Sequence, residues 1–461
     1  MLFDSIHEEC GVFGIYNHGE DNNCNVAREV YTALYALQHR GQQSAGIAVN
    51  FQGKLTLHKD AGLAHEVFNE MILNALNGSI ACGHVRYGTA ADLSRDNIQP
   101  FVAKHTKGQI ALAINGSLLN ADELRDELSE KGAMFQTNSD AEIMAYLIGR
   151  ERVRTDSTEQ AILNIMDKLY GAYSAVIVTM NKLIAVRDPK GFRPLCLGKL
   201  GDNTIIASES CAIDSLGGKF VRDIEPGEIV IVEKNNTRSI KDKCGAKTSA
   251  CIFEHIYFAR PDSVLDGQSV HFARLEAGRQ LAINYPVEAD IVVGVPDSGL
   301  DAALGYADQS KIPYTIGIVK NRYIGRTFIQ SSQLERERQV KLKLNPLSSA
   351  IKGKRVVLVD DSIVRGTSTS LTGLVSLVRD AGAAEVHMRI ASPPFISPCY
   401  YGADIPSKEN LIAHRLTVPQ ICKEMGADSL HYLPIEALPK IVKDSKIDFC
   451  SGCFSGVYPY E

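Results

Sequence analysis

Nowhere in these 461 residues does an apolar run approach the roughly 20 residues of a membrane-spanning helix, so no such helix is expected. A basic surplus is missing too: 49 Lys and Arg stand against 54 Asp and Glu, a net charge of −5, which argues against a general nucleic-acid surface. Small anions stay within reach, because a local cluster of cations binds them whatever the net sign. The opening stretch, Met1–Glu9, is acidic and has no apolar core, unlike a secretory leader. Without an export signal, the eleven cysteines are expected to be reduced thiols in the cytoplasm, some of them catalytic or metal-bound. The shares of hydrophobic (45%) and charged (22%) residues are those of a globular protein, and the length implies two domains or more.

The best-defined pattern is Val356-Val357-Leu358-Val359-Asp360-Asp361-Ser362-Ile363-Val364-Arg365-Gly366-Thr367-Ser368. Four apolar residues predict a strand buried on both faces, as in a parallel sheet. Leu371, Leu374, Val375 and Val378 predict a helix behind the loop, which Gly382 ends. Strand, polar loop and helix point N–H groups and a positive dipole end at a phosphate. Two acids beside such a cradle would repel a bare anion, so they suit a bound Mg²⁺ or the vicinal hydroxyls of a ribose, or both. The stretch resembles the signature loop of the type I phosphoribosyltransferases, which bind phosphoribosyl pyrophosphate (PRPP). By that resemblance, Asp360 and Asp361 hold the ribose hydroxyls, and Ser362, Arg365, Gly366 and Thr367 bind the 5-phosphate end. Ile291-Val292-Val293-Gly294-Val295-Pro296-Asp297-Ser298-Gly299 is a second buried strand and polar loop, where Asp297, Ser298 and Gly299 would bind pyrophosphate. Lys320 and Arg326 flank a glycine in a basic, aromatic-laced segment suited to a closing lid. One Mg²⁺ is implied, at Ser298, Asp360 and Asp361.

Toward the N-terminus stand Glu8-Glu9-Cys10-Gly11-Val12-Phe13-Gly14, Gln38-His39-Arg40-Gly41-Gln42, Gly83-His84-Val85-Arg86-Tyr87, Ile114-Asn115-Gly116-Ser117 and Thr137-Asn138-Ser139-Asp140-Ala141-Glu142. A helix with the stripe Val26, Val30, Ala33 or Leu34, and Leu37 precedes the second segment, and Ser139 with Glu142 reads as a capping box. Each segment has a plain alternative: a buried thiol, a turn, a surface arginine. Together, across most of residues 10–230, they resemble the class II glutamine amidotransferases with their N-terminal-nucleophile (αββα) fold. The resemblance implies that Met1–Glu9 is a propeptide whose removal gives Cys10 a free α-amine, with an ordinary pKa of about 7.7–8.0, to serve as its base. It also implies an oxyanion hole at Asn115 and Gly116, and a glutamine site of Arg40, Arg86 and Asp140. Arg187–Leu195 and Ala207–Ser210 match the pattern as structural segments.

Glu233–Ser249 is polar with little apolar periodicity and reads as a linker. It separates an amidotransferase domain (10–235) from an α/β phosphoribosyltransferase domain with a parallel sheet (236–461). After it, Tyr257-Phe258-Ala259-Arg260-Pro261-Asp262-Ser263 resembles the amidophosphoribosyltransferase family, although a core strand followed by an Arg-Pro turn would also fit. The resemblance places Tyr257 at the mouth of a path by which ammonia passes between the sites. Cys450 and Cys453 form a C-x-x-C, which by spacing alone suits zinc or a redox disulfide as well as iron. In the leader-processed branch of the family, Cys251, Cys399, Cys450 and Cys453 match the ligands of a [4Fe-4S] cluster. The family further implies purine nucleotide inhibitors and a homotetramer. Two other readings are a glutaminase serving a different sugar-phosphate acceptor and a PRPP-sensing regulator. The hexosamine-forming relatives lack the Asp-Asp loop, and a regulator would not need Cys10, Asn115 and Asp140.

Overall fold

The computed structural model describes residues 10–19, 25–87, 94–234, 236–321, 323, 343–365, 368–403, 405 and 407–460. Met1–Glu9, Arg326, Gly366 and Thr367 lie outside them. The N-terminal half is built on thirteen strands among the described residues: Gly11–Tyr16 (β1), Ser44–Phe51 (β2), Lys54–Ala61 (β3), Ile80–Arg86 (β4), Phe101–His105 (β5), Gly108–Leu118 (β6), Gly171–Val178 (β7), Leu183–Arg187 (β8), Cys196–Leu200 (β9), Asn203–Ala207 (β10), Lys219–Asp223 (β11), Ile229–Glu233 (β12) and Asn236–Ile240 (β13). They form two antiparallel sheets, in the orders β11-β9-β10-β1-β4-β2-β3 and β13-β12-β8-β7-β6-β5.

Many of these strands are apolar on both faces, and the period of two sends neighbouring residues into different cores. In β1, Val12 and Tyr16 enter the core between the sheets, while Phe13 and Ile15 meet a helix layer that includes Val30, Leu34 and Leu37. In β6, Ala111 and Ala113 enter the inter-sheet core, while Ile110, Leu112 and Ile114 meet Ile143, Met144 and Leu147 of a second helix layer. The result is the expected αββα stack. Helix Ala27–Ala36 carries the first stripe.

Two expectations change here. Ser139 caps helix Asp140–Arg152 by accepting from the Ala141 N–H, but Glu142 does not close a capping box. Its carboxylate accepts from the N–H groups of Gln136 and Thr137 and from the Thr137 hydroxyl, because the chain before the helix doubles back over it. Within the expected linker, β13 pairs along β12, a hairpin hidden from sequence because its residues are polar and lie at a sheet edge.

The C-terminal half adds Ala250–Cys251 (β14), Val264–Leu265 (β15), Gln268–Ser269 (β16), Ile291–Gly294 (β17), Ile318–Lys320 (β18), Leu344–Pro346 (β19), Arg355–Asp360 (β20), Glu385–Ile390 (β21), Ser429–Tyr432 (β22) and Phe449–Cys450 (β23). A parallel sheet in the order β17-β20-β21-β22 is its centre. In β20, Val357 and Val359 face helices Val270–Asn284 and Gly299–Ser310, while Val356 and Leu358 face Leu374, Val375 and Val378 of helix Ser368–Asp380. Glu254–Phe258 forms a π-helical turn, so the strand alternative for the Tyr257 segment does not hold. No helix of the described residues is long and apolar enough to cross a membrane.

Candidate active site

Cys10 stands just before β1, whose register pairs Gly11 with Val85 of β4, so the thiol lies at the strand end beside Arg86 and Tyr87. Its sulfur is 3.9 Å from the Tyr87 carbonyl. Arg86 is buried and donates to the Asn97 carbonyl. Burial lowers its pKa, and the nearby Cys10 and Asp140 oppose that. Asp140 accepts from the Leu118 N–H at 2.8 Å, and burial pushes its carboxyl up. Asn115 is fully buried, and among the described residues neither its side-chain nitrogen nor its oxygen has a partner. A buried amide left unpaired costs energy, so this one is poised for a ligand. The glycine of the His39-Arg40-Gly41 turn is dictated by packing: a Cβ on Gly41 would lie 2.5 Å from the Arg86 carbonyl carbon.

Arg40 takes a different place from the one expected. It has no exposed surface and is tied to Glu209 and to Glu254 (Nη2–Oε2 2.5 Å). Its charge is thus committed to an ion pair across the two halves instead of being turned toward a glutamine. Asn97, which no motif pointed to, joins the glutamine-side loops: its carbonyl accepts from Arg86 and its side chain from the Asn138 N–H at 2.8 Å.

At the carboxyl ends of β17 and β20 lies a cavity of about 460 Å³ lined by Asp297, Ser298, Lys320, Asp360, Asp361, Ser362 and Tyr257. Such strand ends are where open α/β sheets bind ligands. Both Ser298 Oγ and Ser362 Oγ donate to Asp361, each at 2.5 Å, and Lys320 Nζ reaches Asp297 at 2.5 Å. Burial and the adjacent Asp361 push the Asp360 carboxyl well up. Two carboxylates and a hydroxyl are an all-oxygen donor set that fits a hard divalent cation, whose charge would relieve the crowding. Gly299 begins the helix behind the loop, where a Cβ would lie 2.5 Å from the Val359 carbonyl oxygen. Arg365 is half-buried at the far end of the loop and is not part of this lining.

The same cavity is walled by His39 and Gln42 of the N-terminal half and by Arg260 and Arg274 of the C-terminal half. The first three residues sit inside recognisable motifs, but nothing in a linear pattern shows that they meet. Arg274 holds the π-helical turn by donating to the carbonyls of His255, Tyr257 and Ala259.

Cys251, Cys399, Cys450 and Cys453 line one small cavity with Phe192, Arg193 and Tyr401. Parallel pairing of β14 with β23 sets Cys251 opposite Cys450, and no disulfide links any of the four. Among the described residues, no three His, Cys, Asp or Glu side chains are arranged for a single metal ion. The thiols nevertheless fit a metal centre chemically. Burial and the neighbouring cysteines push Cys450 up to about 11 and Cys453 well above the usual thiol range, a crowding that bound cations relieve. The Tyr401 and Gly452 N–H groups donate to the Cys399 and Cys450 sulfurs, as around Fe–S centres.

A cysteine at a strand end of an αββα domain, coupled to a phosphate-loop cavity on a parallel sheet, defines a glutamine amidotransferase fused to a phosphoribosyltransferase. Residues 84–215 match the glutamine amidotransferase domain family and residues 263–391 the phosphoribosyl transferase domain family. The chain belongs to the amidophosphoribosyltransferase family: it is 47% identical to the amidophosphoribosyltransferase of Methanocaldococcus jannaschii over 98% of each chain, and 45% identical to that of Bacillus subtilis over 99% of this chain and 95% of the relative. Its fold superposes with a TM-score of 0.90 on the glutamine PRPP amidotransferase from B. subtilis complexed with ADP and GMP, at 45% identity, covering 98% of this chain and 97% of that one.

Proposed function

We propose that the chain moves the amide nitrogen of glutamine to C1 of PRPP, giving 5-phosphoribosylamine, glutamate and pyrophosphate, the first step of de novo purine nucleotide synthesis. The observation that carries this reading is the shared cavity, in which His39 and Gln42 of the glutaminase half meet Asp360 and Asp361 of the phosphoribosyl half.

Cys10, freed from Met1–Glu9 and with its α-amine as base, attacks the glutamine carboxamide carbon. Asn115 and the Gly116 N–H stabilise the tetrahedral oxyanion, and the unpaired Asn115 amide supports that role. Arg86 holds the substrate α-carboxylate and Asp140 the α-ammonium. The C–N bond breaks and ammonia leaves with a proton from the amine, while water later hydrolyses the thioester to glutamate. Ammonia passes Tyr257 and attacks C1 of PRPP as the bond to pyrophosphate breaks, and one proton goes to solvent. Asp360 and Asp361 orient the ribose, the backbone and hydroxyls from Ser362 to Thr367 hold the 5-phosphate, and Lys320 and Arg326 close on the pyrophosphate. Mg²⁺, held by Ser298, Asp360 and Asp361, would offset the charge of the leaving group.

Cys251, Cys399, Cys450 and Cys453 would hold a [4Fe-4S] cluster in a structural or oxygen-sensing role. Two domains, the first carried past the expected 235/236 boundary to Ile240 by β13, together with inhibition by purine nucleotides, a homotetramer and a cytoplasmic location, complete the reading. The test is pyrophosphate release from Mg²⁺ and PRPP by anaerobically prepared protein, with and without glutamine. Glutamine-dependent release matched by glutamate is expected, and Cys10→Ala should abolish it while leaving the ammonia-driven reaction. Glutamate without pyrophosphate would overturn the reading.

A further inference from the structure

Glu209 has no exposed surface and belongs to neither centre, yet groups from both halves converge on it. Arg40 Nε and His39 Nε2 (2.7 Å) reach its Oε1, while Ser263 Oγ (2.6 Å) and the Arg260 N–H (2.9 Å) donate to its Oε2. These four N–H and O–H partners use about all the acceptor sites a carboxylate has, and the Cys211 thiol adds a longer contact to Oε2 at 3.6 Å. Burial alone would push its carboxyl up, but Arg40 and His39 more than reverse this and hold it well below the usual carboxylate range.

The two sides of this hub lead to different centres. Arg40 Cβ would lie 3.5 Å from a Cβ on Gly11, the residue after the nucleophile, and the adjoining Gly41 presses on the Arg86 backbone. His39 and Arg260, in contrast, wall the phosphoribosyl cavity, and Arg260 Nη1 crosses to the Ala36 carbonyl at 3.3 Å.

We propose that Glu209 is a positioning residue that binds the 39–41 turn and the 260–263 wall into one body, so that a ligand seated in the phosphoribosyl cavity sets the geometry around Cys10. This rests on the proposed reaction. A salt-bridged carboxylate saturated from both sides leaves little play between the segments it joins, so displacement of one wall is passed to the other.

The test uses the full chain, with Glu209→Gln removing the charge and Ser263→Ala removing one bond while the charge stays. Three quantities are read: ammonia-driven pyrophosphate release, the glutamine KM and kcat with and without Mg²⁺–PRPP, and the rate at which a diazoketone analogue of glutamine alkylates Cys10 with and without PRPP. In Glu209→Gln, the ammonia reaction should stay within about twofold, the glutamine KM in the presence of PRPP should rise about tenfold or more, and the effect of PRPP on Cys10 alkylation should vanish. Ser263→Ala should shift KM and alkylation in the same direction by a smaller factor. Should Glu209→Gln fail to fold, Ser263→Ala decides. An undiminished PRPP effect on alkylation, or an equal fall of the ammonia and glutamine reactions, would overturn the role. Wild-type protein that released no pyrophosphate from PRPP and ammonia would instead remove the proposed reaction, and this role with it.

Discussion

At the residue scale, burial decides which polar groups are spent and which are waiting. Asn115 is buried with both side-chain polar atoms unpartnered among the described residues, whereas Arg40, equally buried, is spent on Glu209 and Glu254. Asn115→Ala should therefore lower glutamine-dependent turnover by about 10²–10³-fold, as loss of an oxyanion donor does, with ammonia-driven synthesis kept; parallel assays with the two nitrogen sources check this. Buried imidazoles make a second prediction. Burial lowers His84 from 6.5 to about 3 and His255 to about 4. Between those values and 6.5 the unfolded chain binds more protons than the folded one, so their contribution is complete above pH 6.5 and is lost as pH falls toward 4 and 3. Denaturant unfolding at stepped pH should show stability dropping through this window, by up to about 1.4 kcal/mol per pH unit for each imidazole.

At the scale of elements, backbone contacts tie the centres to one another. Gly402 has φ +104°, and a Cβ there would meet the Gly116 backbone and Arg193 Nη2 at 3.3–3.4 Å. The segment that bears Cys399 thus rests on Gly116, the glycine of the proposed oxyanion hole. Gly402→Ala should raise the glutamine KM and lower glutaminase turnover more than ammonia-driven synthesis, with a stability loss of about 1 kcal/mol or more from the left-handed φ. Steady-state kinetics and thermal unfolding read the two effects separately. The π-helical turn makes its own prediction, because such turns mark functional positions and Arg274 caps this one through three carbonyls. Tyr257→Ala should leave the ammonia-driven reaction intact and weaken the glutamine-driven one, and equal loss of both would speak against a path for ammonia at this side chain.

At the scale of the whole molecule, two domains that each match a family of their own share one cavity and one buried ion-pair network. The cysteine cavity lies at the same junction: Arg193 of the first domain lines it and donates to the Tyr401 carbonyl of the second. Anaerobically purified protein should be brown and carry about four irons per chain, as a cubane cluster requires. Chelation in air should bleach it and lower the unfolding temperature, followed by absorbance and calorimetry together; colourless protein with stoichiometric zinc would end the cluster assignment.

How far sequence alone reached depended on whether the information was local. The Val356–Val359 strand, its Asp-Asp loop and the helix behind were legible because a doubly buried strand and a phosphate loop each have a period and a composition of their own. The segments around Cys10, Asn115 and Asp140 were legible as motifs, and the pairing of β1 with β4 sets Cys10 at the strand end beside Arg86 and Tyr87. Other features had no local signature: the polar edge strand Asn236–Ile240, the reach of Glu142 back to Gln136 and Thr137, and the π-turn at Tyr257. The ion-pair partners of Arg40 and the convergence on Glu209 join residues far apart in the chain, by 169 positions for Arg40 with Glu209 and, across the two domains, 214 for Arg40 with Glu254. The sequence by itself determined which elements form and which chemistry they carry, since periodicity and residue type act over a few residues. Only the tertiary structure decided which buried charges pair, because a charge taken out of water must find a partner wherever the packed fold supplies one.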